Sequence, residues 1–392
     1  MNKFHKKIIL TSLLLIILLT GCVNGKRYEK SIAWLGPLND ADGNMVLPLN
    51  ADIKLITVRE DLKDEMYDSL NDTVIFYHKL FDAHHYYEED GELISNLRVI
   101  NDSYGSEESI RTDHALIEAL KESIDLASLT DGYFNPTVGI LSEIWNDRFN
   151  KQYNDDPKQE DIDKALGCVI PTDKLKEIIE IDETNDTVTL HRYESCEDKV
   201  VIDLGAFCKG YVLDKAYEEL KKYGSSFLID GGSSSVISYV AEDEDIAWTI
   251  GIRKPDDESV LYGFEDKNIS LSTSGDDEKY FLTDMDGQQL RRHHILDPYT
   301  GYSKNCFRTI TLLSDSHAGV LDALSTALFN IEDIDKQNDI IRKVSSCYDM
   351  HIKKCIVREE DGKLHLLIDK SFNDILLKDL ESLDIYDKTI IE

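Results

Sequence analysis

Residues Lys199 to Gly232 read KVVIDLGAFCKGYVLDKAYEELKKYGSSFLIDGG. The apolar run Lys199–Leu204 predicts a strand, Gly205 a turn, and the spacing from Cys208 to Tyr223 a helix that Gly224 stops. A second strand is expected over Ser226–Ile229, ending at Asp230-Gly231-Gly232. Working outward, strands fit Ile53–Val58, Ala247–Arg253, Ser270–Thr273 and Arg308–Leu313, with a hairpin joining Ile178–Asp182 to Thr187–Leu190. Helical spacing marks Asp64–Phe81, Ile110–Leu129 and Gly319–Phe329, with Thr112 or Asp113 as a cap for the second. The polar stretch Phe149–Asp163 reads as a solvated loop. An acidic helix and a last pair of strands, Cys355–Arg358 and Leu364–Leu367, close the chain. Strands and helices mix without strict βαβ alternation, so the expected class is α+β, with mixed or antiparallel sheets packed by helices.

The 392 residues carry 76 Asp and Glu against 43 Lys and Arg, a formal charge of −33. A nucleic-acid partner is excluded by that balance, because no long basic stripe is available to displace counterions from phosphate. An apolar fraction of 42% supplies a core and argues against disorder. The first residues are different in kind. Lys3, Lys6 and Lys7 precede the apolar run Ile8–Leu19, which is too short to span a bilayer and suits a secretory leader. Its end, Leu19-Thr20-Gly21-Cys22, resembles the bacterial lipobox. The resemblance implies removal of residues 1–21, lipidation of Cys22 and a protein anchored at the extracytoplasmic face of the cell membrane; the alternative is an uncleaved anchor. Residues 22–50 are then a tether and N-terminal segment, and 51–392 the folded domain. Six cysteines remain, none in a CxxC or zinc pattern; Cys347 and Cys355 are the nearest pair for a disulfide, and no cysteine is expected to be catalytic.

Five clusters stand apart from ordinary packing: Thr130–Gly139, Asp203–Gly210, Leu271–Asp276, His293–Gly301 and Leu321–Ala327. Lys209 at a helix start after a small-residue turn forms an anion site, since free amides and an ammonium point the same way. Many strand–turn–helix units share that pattern for purely structural reasons. Adjacent His293 and His294 on a strand point to opposite faces, so one at most faces a site. Asp322 and Thr326 stand at i, i+4 on a helix apolar nearly all round. A buried carboxylate needs a cation or donors, and paired with a hydroxyl it suits a hard cation such as Mg²⁺.

Taken in order, TDGYFNPTVG, DLGAFCKGYVLD, FLIDGG, STSGDDEKYF, HHILDPYTGY and DALSTALF resemble the FAD:protein FMN transferase family (ApbE), from about Ala51 to about Phe329. The resemblance implies a flavin site in a cleft between subdomains. It further implies transfer of FMN from FAD to a Thr or Ser hydroxyl of an extracytoplasmic flavoprotein, with release of AMP. On matching positions, the Ala206 carbonyl, Asp322 and Thr326 would hold Mg²⁺. Asp203, Lys209, Phe134, Asn135, Pro136, Thr137, Thr273, Ser274, Gly275 and Ile295 would contact FAD. His294 is the expected base, beside Asp322 and Lys209 as the catalytic set. An aromatic between Phe81 and Tyr87, Tyr86 or Tyr87, would stack on the flavin. The chain departs from the family's pattern at Asn135, Ser233, Asp277 and Leu49-Asn50-Ala51. Competing expectations are an FAD pyrophosphatase, an FAD-binding lipoprotein without transfer, a solute-binding lipoprotein and a structural lipoprotein.

Overall fold

The computed structural model describes residues 31–151, 153–232, 234–257, 259–285, 287–377 and 386–391. The leader, Cys22 and Ser233 lie outside the described residues.

One nine-stranded sheet organises the molecule: β1 (Ser31–Trp34), β2 (Lys54–Thr57), β3 (Phe227–Asp230), β4 (Ser235–Tyr239), β5 (Ile269–Gly275), β6 (Thr309–Ser314), β7 (Lys353–Glu360), β8 (Lys363–Asp369) and β9 (Tyr386–Ile391). Their spatial order is their chain order. Every neighbouring pair is antiparallel except β8 and β9. The class is α+β, as expected. β1 pairs with β2, so Ser31–Trp34 forms the edge of the sheet.

The central strands are apolar on both sides, and the two-residue period divides them. Leu55, Phe227, Ile229, Ile310 and Leu312 face one core, which lies beneath the helices. Ile56, Leu228, Leu271 and Leu313 face a second core, closed by the hairpin Trp248–Arg253 and Val260–Asp266. The helical layer holds α1 (Lys63–Phe81), α2 (His114–Leu129), α3 (Gly139–Lys151), α4 (Cys208–Lys221), α5 (Ala318–Phe329) and α6 (Ile334–Tyr348).

Three expectations are corrected. Ser109–Arg111 forms a short strand, and α2 starts only at His114, where the Asp113 carboxylate accepts the Ala115 amide at 2.9 Å. The region 149–163 is helical at both ends, closing α3 and entering a helix over Gln159–Leu166, and only 153–158 between them is irregular. Residues 199–204 join no ladder. Instead the Asn101 side chain brackets Ile202, accepting its amide at 2.8 Å and donating to its carbonyl at 2.9 Å. The Val201 carbonyl accepts from Gly139 and the Asp203 amide donates to Pro136. An apolar run marks burial; it does not choose which partner satisfies its backbone.

The expected Cys347–Cys355 bridge is also replaced. Cys355 is buried on β7 and Cys347 is exposed on α6, whereas Cys168 and Cys196 are bonded.

Candidate active site

A cavity of about 360 Å³ opens between the C-terminal end of β5, the start of α4, α5, α3 and the hairpin Tyr280–Met285 with Gln288–His293. Its size is in the range of small-molecule sites.

The α4–α5 contact builds one wall. A Cβ on Gly210 would sit 2.2 Å from the Ala318 carbonyl oxygen, and one on Gly319 would sit 2.9 Å from the Tyr211 backbone. Only glycine allows that approach. Asp214 fixes the register by accepting the Ala318 and Gly319 amides at 2.8 and 2.9 Å. Burial pushes its carboxyl up to about 7 against those two bonds. One turn further along α5, Asp322 reaches back to the start of α4. Its Oδ2 accepts the Gly210 amide at 2.6 Å, and its Oδ1 accepts the Ser235 hydroxyl at 2.7 Å. Burial raises its carboxyl, and nearby Lys209 opposes the rise. Among the described residues no Lys or Arg pairs with Asp322.

Thr326 follows on the same helix face, 3.5 Å from the Ser274 hydroxyl; Ser325 meets Ser272 at 3.0 Å and Ser274 at 2.8 Å. Ala206, Asp322 and Thr326 all line the cavity, as do Asp203 and Lys209. The donor set fits a hard divalent cation: one buried carboxylate whose oxygens keep free lone pairs, a hydroxyl and a carbonyl. Among the described residues no three His, Cys, Asp or Glu side chains cluster. Cys208, beside Lys209, has its thiol pushed up to about 12 by burial.

The turn before α4 is held locally. Asp203 accepts the Gly205 amide on Oδ1 at 2.7 Å, turning the chain towards the α4 N-terminus. Lys209 has no hydrogen-bonded or ion-pair partner among the described residues.

The two histidines part as expected. His293 is buried, with Nε2 2.7 Å from the Lys304 carbonyl and Nδ1 accepting the Ile295 amide. His294 opens onto the cavity. The surrounding protein wall lowers its imidazole to about 4, with Lys209 and Lys279 adding to the shift. The ring meets solvent through the cavity and is neutral at physiological pH.

Of the expected flavin contacts, Phe134, Asn135, Thr273, Ser274, Gly275 and Ile295 line the cavity. Pro136 and Thr137 do not. Thr137 is buried, with its hydroxyl donating to Asn135 Oδ1 at 2.8 Å and accepting the Ile170 amide at 2.8 Å, while Asn135 donates to the Ile170 carbonyl at 2.8 Å. These two residues hold a wall in place. Tyr86 also misses the cavity: its hydroxyl bonds Asp102 and its ring lies against Arg98. Tyr87 is locked between Asp82 and His78 in the core. From those segments His84 and Asn50 line the cavity instead, Asn50 in the left-handed region at φ 52° that asparagine tolerates. Its aromatic lining is Tyr133, Phe134, Trp145 and Phe149. Asp277 pairs with Arg253 at 3.3 Å.

Sequence reasoning did not find Ser235, Asn146 or Lys279. Ser235 follows a glycine turn with no spacing signal, and Asn146 sits in a helix beside Ser142, Trp145 and Phe149 with nothing in its spacing to single it out. Lys279 reads as one more charge in an acidic stretch.

The architecture has known counterparts. A family model described as the ApbE family matches residues 60–348. The chain is 29% identical over 235 residues to a protein of Rhodobacter capsulatus named FAD:protein FMN transferase, covering 59% of this chain and 41% of that one. It is 25% identical over 327 residues to the Vibrio cholerae protein of the same name, covering 81% and 86%. The chain thus spans well under two thirds of the Rhodobacter relative and most of the Vibrio one. Among solved structures, an ApbE protein from Thermotoga maritima superposes with a TM-score of 0.65 at 25% identity, covering 88% of this chain and 99% of that chain. With the matched model running from the start of α1 to the end of α6, across both walls of the cavity, the chain belongs to the ApbE family.

Proposed function

We propose that the chain transfers FMN from FAD to a Thr or Ser hydroxyl of an extracytoplasmic flavoprotein, as a Mg²⁺-dependent enzyme anchored to the membrane through Cys22. The observation that carries the reading is one cavity holding a lysine and a buried carboxylate, neither with an ion-pair partner among the described residues, and a neutral histidine.

In the transfer, the acceptor hydroxyl oxygen forms a bond to the FMN-side phosphorus and the bond from that phosphorus to the AMP oxygen breaks. The hydroxyl proton goes to the neutral His294 imidazole, and AMP leaves with the bonding pair. Such a displacement depends mainly on positioning and charge neutralisation. Lys209 and the α4 amides supply positive potential, and the hydroxyl-rich end of β5 orients the substrate. Ala206, Asp322 and Thr326 would hold Mg²⁺, which when bound polarises phosphoryl oxygens. Asp203 and the Phe134–Asn135 segment shape the floor, with Pro136 and Thr137 acting behind it.

Asp322→Asn tests the reading, because it keeps the volume and an acceptor for the Gly210 amide while removing the charge. Covalent flavin on an acceptor, followed by in-gel fluorescence with FAD and Mg²⁺, should fall at least ~100-fold, as loss of a charge-stabilising group at a reacting phosphate does. The melting temperature should not fall. Undiminished transfer would sink the assignment, and release of free FMN with no labelled acceptor would favour FAD hydrolysis.

A further inference from the structure

Three cations line the cavity: Lys209, Arg253 and Lys279. Arg253 is paired with Asp277, leaving two lysines that have no carboxylate partner among the described residues of a chain of charge −33. Lys209 stands at the α4–α5 wall with Asp322. Lys279 belongs to a different wall, just before the hairpin strand Tyr280–Met285 and facing α3. It is half-buried, its ammonium donates to Asn146 Oδ1 at 2.6 Å, and it lies 5.5 Å from the centre of the Phe149 ring. A neutral amide and an aromatic face hold the ammonium in place without cancelling its charge, and two of its three protons remain for another acceptor. Burial lowers it, with no carboxylate opposing the shift. Surface lysines in this chain mostly have acids beside them, as Lys63, Lys121 and Lys176 do. A partly desolvated lysine with none, aimed into a cavity, is an anion site.

His294 lies within the field of both ammoniums, and its amide donates to the Lys279 carbonyl at 3.1 Å. The two lysines therefore flank one reacting position from different walls. A pyrophosphate offers two anionic groups to such a pair. The phosphorus under attack belongs at the wall that carries Lys209 and the hard-oxygen donors, which leaves the other phosphate for Lys279. We propose that Lys279, held by Asn146 against Phe149, forms a second phosphate subsite that takes the adenylate phosphate and stabilises it as it leaves. This rests on the transferase reading above and adds to it the residue that receives the leaving group.

Calorimetric titration of the mature chain with AMP, FMN and FAD, each in Mg²⁺ buffer, separates the possibilities. Lys279→Met should weaken AMP and FAD about tenfold, the size of one charge-assisted hydrogen bond, and leave FMN unchanged. Lys279→Arg should restore at least part of the AMP affinity. Unchanged AMP binding in Lys279→Met overturns the subsite, as does an equal loss for FMN, which would mean a general packing role. In either case transfer by the wild-type chain leaves the reaction itself standing. A wild-type chain that binds neither FAD nor AMP overturns the transferase reading and the subsite together.

Discussion

At the residue scale, adjacent side chains take different fates according to what surrounds them. His293 is consumed by the Lys304 carbonyl and the Ile295 amide, while His294 keeps its ring for the cavity. Strand alternation made one of the two a candidate, and the motif pointed to the second. The sign of its shift has a consequence. A histidine held below the usual histidine range of ~6.5 stays in its base form into mildly acidic solution. Transfer measured as kcat/KM against pH should therefore stay level through neutral pH, with its acid limb below ~6.5. A limb centred near 6.5 would remove His294 as the base. His294→Ala should cost ~10²–10⁴-fold in transfer and retain FAD binding, the range for loss of a general base. Asn135 and Thr137 show the opposite outcome. Their residue types suit ligand contacts, yet they are largely spent on Ile170, because a buried loop must satisfy its own amides first.

At the element scale, the decisive contact is between α4 and α5. The sequence marks both helices by their spacing, and Gly224, at φ 62°, ends the turn after α4 as expected. What spacing does not display is that Gly210 and Gly319 face each other. Gly210→Ala would press a methyl into the Ala318 carbonyl, forcing the helices apart and drawing Asp322 from the Gly210 amide. The expected cost is ~1–3 kcal/mol from overpacking, measured by denaturant unfolding, together with weakened FAD binding. A variant as stable as the wild type would show that the helices can separate freely. The run 199–204 gives the same lesson from the other side. Its hydrophobicity is real, but Asn101, distant in sequence, occupies the place of a neighbouring strand.

At the scale of the whole molecule, nine strands laid side by side in chain order let one sheet carry a core on each face. The site forms where the helical layer meets the end of β5, so residues from 50 to 326 share one cavity. The Cys168–Cys196 bond closes a separation of 28 residues just before Ile170, the residue that Asn135 and Thr137 hold. A non-reducing peptide map should show these two half-cystines joined and Cys347 open to alkylation. Cys168→Ser with Cys196→Ser should lower stability by roughly 3.6 kcal/mol, the loop-closure value for a separation of this size. Recovery of a Cys347–Cys355 peptide would contradict the arrangement.

The sequence by itself determined the class, most of the long helices, the acidic balance and the order of motifs that brings the family to mind. These are properties of local spacing, charge and composition, which one chain carries before it folds. Only the tertiary structure decided which of two histidines is free, which cysteines meet and that Asn135 and Thr137 brace a wall. It also decided that Lys279 meets Asn146 and Phe149, with no carboxylate partner among the described residues. Each of those depends on partners distant in sequence, because burial and hydrogen bonding are settled by what packs against a side chain.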